Sequence, residues 1–593
     1  MPTIDIDSGA LLADIEHHFR VTAGPGAGKT YWLVNHLKHV VRTSKRLTPC
    51  SRVAVLSYTN VAVREIICRL GPVADNIEAS TIHSFLYRNV VRPYMHLLKA
   101  ADGKDLVAHH LVDSHGEHHP SHKHLDEWLT ANGKGQLRAT AMKKSCDRVR
   151  ELLQDVVVRV DDNGSARLVA RRLDVAKRDK KIAVLFQHDV LVNYKRPYWQ
   201  DGTIDHEDVL YFAHRLLNEN PVLRRFLSAR FPYLFIDEFQ DTIPVQAVLV
   251  RWLAEQGTIV GVIGDPEQAI FGFLDASPGH FRDFNLDGHR AYSIPDNRRS
   301  TDTIVEFLNA VRTDGLNQKA VRTAAGAMLT VYGGHLGSAI AMAQKEVAKP
   351  LEMLILARKH KTLLEVNSVV AATKDDPWKQ LEEADVDRYR LLNHMAVSIA
   401  LAKRGLFDLA IQGLVRGICL RQGFRRPFDY DGTADIIAKR SLALFLLEKA
   451  MKGQKQLLGQ TALDFYNLLQ QETPKCDSKI KLPKVKNGKF HVAASTCSCA
   501  SLFDALRMRE PIGTNRVIHQ AKGAEADAVF VILGEEQLDH ILAPMPNNEE
   551  QRITYVALSR ACDNLSLYCP KTERLTDFAK LPNCTTSVVV APA

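Results

Sequence analysis

The stretch Val21-Thr22-Ala23-Gly24-Pro25-Gly26-Ala27-Gly28-Lys29-Thr30 decides how the rest of the chain is read. It fits the phosphate-binding loop pattern, with Ala23 in place of the usual first glycine. Small residues let successive backbone N–H groups turn toward phosphate oxygens, and the helix that follows presents its positive N-terminal end. Lys29 then reaches the β- and γ-phosphates, and Thr30 ligates Mg²⁺. Ala23, Gly24, Pro25, Gly26, Ala27, Gly28, Lys29 and Thr30 are the expected triphosphate cradle. Such a loop indicates a nucleoside triphosphate and little more, and its bland alternative is a glycine-rich turn.

A phosphate loop needs a second element, a buried strand ending in carboxylates that hold the metal and orient the attacking water. Tyr233-Leu234-Phe235-Ile236-Asp237-Glu238-Phe239-Gln240-Asp241-Thr242 supplies it. Asp237 is expected to hold Mg²⁺ and Glu238 to polarise the water. The alternative, an ordinary strand with an acidic turn, does not account for so specific a string.

Asp-Glu-Phe-Gln-Asp-Thr resembles motif II of the UvrD/Rep/PcrA helicases of superfamily 1A, and the family's other motifs follow in order. Ser57-Tyr58-Thr59-Asn60, with Ala62 and Glu65, is similar to motif Ia, and Thr81-Ile82-His83-Ser84-Phe85 to the next segment. Asp205-His206-Glu207-Asp208-Val209-Leu210 resembles the acidic helix start before motif II. Gly264-Asp265-Pro266-Glu267-Gln268-Ala269-Ile270-Phe271-Gly272-Phe273 resembles motif III, and Asn297-Arg298-Arg299-Ser300 motif IV. His519-Gln520-Ala521-Lys522-Gly523-Ala524-Glu525 resembles motif V, and Tyr555-Val556-Ala557-Leu558-Ser559-Arg560-Ala561 motif VI.

The resemblance implies ATP and Mg²⁺ as cofactors, Gln268 as the γ-phosphate sensor, Arg299 and Arg560 as cationic fingers and Glu525 at the ribose. Permanently charged guanidiniums suit phosphoryl transfer, which is catalysed by positioning and charge neutralisation. Two departures fall at the base site. Residues 1–22 contain no glutamine to match the family's Q motif, and the family's stacking arginine and tyrosine are exchanged, as Tyr31 and Arg298. An aromatic face and a guanidinium plane still clamp a purine from opposite sides.

By the same resemblance Tyr58, Phe271 and Phe273 sit where the family stacks bases, and Asn60, His83 and His519 face the strand. Each aromatic alone reads equally well as core; together they suit single-stranded DNA, which is held by stacking platforms and polar grips. The implied activity is an ATP-dependent helicase or translocase moving 3′→5′, with single-stranded DNA and single/double-strand junctions as partners. The alternative is a DNA-sensing ATPase subunit of a bacterial defence or repair complex, regulating a separate nuclease, as in antiphage systems of the Gabija type. RNA is a third substrate, since nothing in the motifs distinguishes the sugar.

Apolar runs at Val53–Leu56, Leu234–Ile236, Ile259–Ile263, Met353–Leu356 and Val529–Ile532 alternate with helical stretches, so the fold class is α/β with parallel sheets. The expected layout is two RecA-like domains with two mainly helical insertions: 1A at 1–92 and 201–292, 1B at 93–200, 2A at 293–370 and 506–593, and 2B at 371–505. In 1B, His109, His110, His115, His118, His119, His122 and His124 read as a solvated loop rather than a metal site. The basic run Arg171, Arg172, Lys177, Arg178, Lys180 and Lys181 reads as a duplex contact or a solvated face. In 2B, lysine-rich 475–486 reads as an exposed, poorly ordered connection.

The bulk numbers agree. A chain of 593 residues exceeds one compact core, and its 46% hydrophobic and 24% charged residues with no long apolar run suggest a soluble, cytoplasmic protein rather than a membrane one. The N-terminus carries two aspartates, Asp5 and Asp7, within ten residues and does not read as a signal peptide. Ten scattered cysteines read as reduced thiols, and a net charge of +9 permits a polyanionic partner without identifying one. The segment after motif VI is too short for an appended nuclease domain, so DNA cutting is expected from a partner.

Overall fold

The computed structural model describes residues 3–590 apart from 101, 113–114, 117, 119, 121, 139–142, 173–179, 323–325, 348–352, 360, 364–365, 367–376, 404–406, 419, 422–427, 431–435 and 510–514. His119, Lys177 and Arg178 lie outside the described residues, as do the side chains of His122, Lys180 and Lys181. The chain forms two compact units. The first comprises Met1–Leu329, Glu535–Asn564 and Asp577–Thr585, and the second Thr330–Gly534, Leu565–Thr576 and Thr586–Ala593.

The first unit is built on a seven-stranded parallel sheet: β1 (Ile4–Asp5), β2 (Phe19–Ala23), β3 (Val53–Ser57), β4 (Ile77–Thr81), β5 (Tyr233–Ile236), β6 (Ile259–Gly264) and β7 (Arg290–Ile294), in the order β1-β7-β2-β6-β5-β3-β4. Every residue of β3, β5 and β6 is buried. Helices on both faces of a parallel sheet demand continuous apolar strands, which is what the sequence supplies. The five helices used below are α1 (Lys29–Thr43), α2 (Asn60–Leu70), α3 (His206–Glu219), α4 (Asp302–Val311) and α5 (Glu549–Leu558). Trp32 and His36 of α1 pack on Phe19 of β2, with Trp32 and His36 stacked at 5.0 Å between ring centroids. Fully burying one such large apolar side chain stabilises by about 1.5–3 kcal/mol.

The segment 93–200, mostly helical, is not made of helices alone. It contains the antiparallel hairpin Val156–Val160 with Ala166–Ala170, which packs on α3. Its Leu125, Trp128 and Leu168 share one core with Leu56 and Val260 of the sheet. Nor is the histidine-rich stretch a solvated loop throughout. His118 pairs with buried Asp205 at 3.2 Å and with the Tyr194 hydroxyl at 2.9 Å, and His124 stacks edge-on against Tyr198. A buried carboxylate and two tyrosines therefore draw these imidazoles inward.

The second unit has a six-stranded sheet of β8 (Leu329–Gly334), β9 (Leu354–Ala357), β10 (Asn515–Val517), β11 (Ala526–Ile532), β12 (Ala561–Cys569) and β13 (Cys584–Val589), ordered β10-β9-β11-β12-β8-β13. Its segment 377–509 is mainly helical around a core that includes Trp378, Leu391, Tyr466 and Leu502. The lysine-rich segment 475–486 corrects the expectation of poor order. Ile480 and Lys481 pair with Tyr430 and Asp429, and Ile480 and Leu482 are buried in that core while Lys479, Lys481 and Lys486 stay exposed. Apolar residues alternate with lysines at the period of a strand, and the charge masked that alternation. Among the described residues no helix is long and apolar enough to cross a membrane, the nine cysteines are free, and no group of three metal-ligating side chains occurs.

Candidate nucleotide site and strand track

The phosphate loop joins the end of β2 to α1. Gly26 (φ 69°) and Gly28 (φ 80°) take the left-handed conformation that the tight loop needs, and Gly28 caps α1 without a side-chain acceptor. The leading N–H groups of a 15-residue helix are thus left to face the loop. Lys29 Nζ donates to the carbonyls of Ala23 (3.2 Å) and Gly24 (3.3 Å), which holds the ammonium across the cradle, and Thr30 follows in the first turn.

Motif IV lies directly against this loop. Asn297 Oδ1 accepts from the backbone N–H groups of Arg299 (3.0 Å) and Ser300 (2.9 Å), and Arg298 N–H donates to the Gly26 carbonyl at 2.8 Å. A Cβ at Gly26 would stand 2.6 Å from the Arg299 Cβ, so only glycine permits the approach. Arg298 itself is held by Ser8 Oγ (2.7 Å), Asp296 (3.0 Å) and Asp7 (3.5 Å). Ser8 borders Gly28, and Tyr31 is exposed nearby. The N-terminal segment that lacks the expected glutamine thus supplies Ser8 and Asp7 around Arg298.

Asp237 and Glu238 leave the end of β5, with the Asp237 N–H anchored on the Leu56 carbonyl at 2.8 Å. Glu238 adopts φ 55° and ψ 39°, a strained conformation for a residue with a side chain. Gln240 fixes it, donating to the Glu238 carboxylate while accepting from the Asp265 N–H at 3.1 Å. Burial, and then the charge of Glu238, push the Asp237 carboxyl up to about 7, and Lys29 opposes the shift. Two adjacent carboxylates facing one ammonium leave negative charge that a divalent cation relieves, so Thr30 and Asp237 fit Mg²⁺.

A buried polar network closes the site. Gln268 donates to Asp265 Oδ2 at 2.7 Å and accepts from Arg560 at 2.8 Å. Arg312 grips Asp265 bidentately (2.6 and 3.2 Å), Asp314 bidentately (2.6 and 2.7 Å) and the Tyr555 hydroxyl at 3.0 Å. Burial, and next the charge of Arg299, pull the Arg560 guanidinium down to about 9. Arg299 lies beside it, donating to the Ser559 carbonyl at 3.2 Å. Two arginines are thus held close together, one of them buried, with the Glu238 and Asp265 carboxylates partly offsetting their repulsion.

The structure thus brings together Lys29, Thr30, Asp237, Glu238, Gln268, Arg298, Arg299 and Arg560 in the first unit. Glu525 and His519 belong to the second unit, Glu525 exposed before β11 and His519 in a short turn. Sequence reasoning missed Arg312, Gln240, Ser8 and Gln318. Gln318 is buried and donates to the Pro25 carbonyl at 3.1 Å, and a Cβ at Gly24 would collide with its amide at 2.4 Å. Gln240 stands inside the Asp-Glu-Phe-Gln-Asp-Thr string without a role assigned to it, and none of the other three stands in a pattern that its own neighbours announce.

A second surface of the same unit carries aromatics. Tyr58 stacks on Phe271 (5.0 Å, 20° between planes) and Phe273 meets Phe271 edge-on at 6.0 Å. Tyr58 and Phe273 are 42% and 54% exposed, far too open for core residues. Asn60 is exposed at the start of α2, where Thr59 caps the helix through the Ala62 N–H. His83 clusters with His206, which in turn bonds His115 at 2.8 Å between Nδ1 atoms. Burial, and then the charge of His206, pull His83 down to about 4, so it is neutral at physiological pH.

Comparisons with known proteins agree with this geometry. The description "UvrD/REP helicase N-terminal domain" matches residues 7–288, and "UvrD-like helicase C-terminal domain" matches 514–571. Together they take in more than half the chain. The Gabija protein GajB of Bacillus cereus is 23% identical over 435 residues, 66% of this chain and 62% of GajB. The ATP-dependent DNA helicase PcrA of Bacillus subtilis is 25% identical over 307 residues, 50% of this chain and 38% of PcrA. For the ATP-dependent DNA helicase srs2 of Schizosaccharomyces pombe the identity is 24% over 297 residues, 49% of this chain and 32% of that protein. The chain therefore spans less than two thirds of each of these relatives.

Proposed function

This chain belongs to the UvrD/REP helicases, and from that premise we propose that it is an ATP-driven motor that moves 3′→5′ on single-stranded DNA. The observation that carries the reading is the shared first unit: the phosphate loop, acidic strand end and paired arginines at one place, and an exposed aromatic ladder at another.

In this reading the loop and α1 bind the triphosphate, Glu238 orients the attacking water, and Gln268 reports the γ-phosphate to Arg560. Arg299 and Arg560 neutralise the charge that spreads over the transferred phosphoryl group. Thr30 and Asp237 would hold Mg²⁺, which would supply charge neutralisation at the phosphate oxygens. Tyr31 and Arg298 clamp the base, and Glu525 meets the ribose. Tyr58, Phe271 and Phe273 stack bases while Asn60, His83 and His519 grip the strand. The layout follows as 1A (1–92, 201–292), 1B (93–200), 2A (293–370, 506–593) and 2B (371–505).

A second reading makes the chain an ATPase subunit that senses DNA and controls a separate nuclease in bacterial defence. The breadth of the similarity to the Gabija protein GajB, two thirds of this chain against half for PcrA, favours it. ATP turnover with and without single-stranded DNA, then displacement from 3′- and 5′-tailed duplexes, tests the first reading. DNA-stimulated turnover with displacement from 3′ tails is expected. Absence of stimulation defeats the motor, preference for 5′ tails defeats the polarity, and stimulation without displacement favours the second reading.

A further inference from the structure

We propose that Glu549 is a positioning residue that couples the nucleotide site to the aromatic ladder. The proposal rests on the motor reading and names a regulation of its site. Helix α5 lies along the motif III segment and touches it at three successive places. Arg560, just beyond its C-terminal end, donates to Gln268 Oε1 at 2.8 Å. Arg552, buried in its middle, donates through Nε to the Ala269 carbonyl at 2.7 Å. Glu549, in its first turn, accepts from the Gly272 N–H at 3.1 Å.

Gly272 is the residue between Phe271 and Phe273, so the last contact holds the backbone that aims both rings. The approach is tight. A Cβ on Gly272 would stand 2.7 and 2.8 Å from the two Glu549 carboxylate oxygens, so the glutamate would have to swing away from the Gly272 N–H. A glutamate in the first turn of a helix is ordinarily explained by the helix dipole alone, and then it faces water. Here it is half-buried and points at one backbone donor of another segment.

The helix has little freedom to bend. Asn548 caps it through the Gln551 N–H (3.1 Å), and fully buried Gln551 donates to the Val311 carbonyl at 2.9 Å. Residues 549 and 560 are about 16 Å apart along such a helix. Any shift of Arg560 toward phosphate is therefore delivered to Gly272 as a shift of the Glu549 carboxylate, a rigid element biased from both ends.

The test uses the full chain and separates this coupling from the motor itself. With Glu549→Ala, DNA-free turnover and the KM for ATP are expected within about twofold of the unaltered chain. Stimulation by oligo(dT) should fall about tenfold, as loss of one charge-assisted hydrogen bond implies. Glu549→Gln keeps an acceptor oxygen and should recover most of the stimulation. Gly272→Ala pushes on the same contact from the other side, and supplies the readout if Glu549→Ala does not fold. Stimulation in both Glu549→Ala and Gly272→Ala within about twofold of the unaltered chain, or an equal loss of DNA-free turnover, overturns the coupling. Absence of stimulation in the unaltered chain instead overturns the motor reading.

Discussion

The nucleotide site and the aromatic ladder of the first unit are built on opposite principles. At the first, charge is buried and every partner is dictated. Asp265 is fully buried and is shared by Arg312 and Gln268, while Arg560 is 2% exposed and bonds Gln268, Ser559 and Val556. At the second, Tyr58 and Phe273 lie open, each in ring contact with Phe271. A buried ionic network fixes one geometry and penalises any loss, because the remaining charge stands uncompensated. An exposed stack gives up area piecewise and accepts any base. Chemistry is therefore expected to fail all at once and grip to fail by degrees.

The largest contrast comes from the cradle. Lys29→Ala and Glu238→Gln should each abolish ATP turnover while leaving the protein folded, as a melting curve against the unaltered chain would show; turnover retained in either contradicts the assignment. Arg312→Met comes next, leaving Asp265 and Asp314 without their cation. Loss of one partner of a buried pair costs about 3–5 kcal/mol, read as a lowered midpoint in urea, and turnover should fall with it. A variant as stable as the unaltered chain would show that the network is not under such tension.

Grip should respond more mildly. Phe271→Ala combined with Phe273→Ala removes stacking worth about 1–3 kcal/mol per base. The DNA concentration for half-maximal stimulation is expected to rise at least about tenfold, with DNA-free turnover preserved; an equal loss of both assigns the rings to packing.

The smallest effect near neutral pH lies beneath the cradle, at His36. Burial, and then neighbouring His39, pull its imidazole from 6.5 to about 3. Below pH 6.5 the unfolded chain takes up a proton that the folded chain refuses, so stability drains as the pH falls from 6.5 toward 3. The slope is at most about 1.4 kcal/mol per pH unit. His36→Phe, which keeps the stack on Trp32, should be more acid-resistant by that difference while matching the unaltered chain above pH 7. Parallel stability curves for the two proteins would refute it.

The same contrast explains what could be read from the sequence. Strands such as Ile259–Gly264 were legible because both faces are buried, and the cradle was legible because its chemistry is confined to ten consecutive residues. Arg312 was not, since Asp265 and Tyr555 reach it from distant parts of the chain and nothing beside it signals burial. Gln318 and Ser8 were hidden for the same reason, their partners being Pro25 and Arg298. In 475–486 the lysines spoke louder than Ile480 and Leu482, and around His118 the polar composition concealed the pairing with Asp205 and Tyr194.

Glu238 carries one more consequence. Its left-handed backbone is a conformation that glycine adopts freely and that a side chain resists by about 1–2 kcal/mol. Glu238→Gly should therefore make a sturdier protein that does no work. Heat selection applied without a demand for turnover would drift toward that replacement, so durability and chemistry compete for a single residue, and only use keeps the glutamate in place.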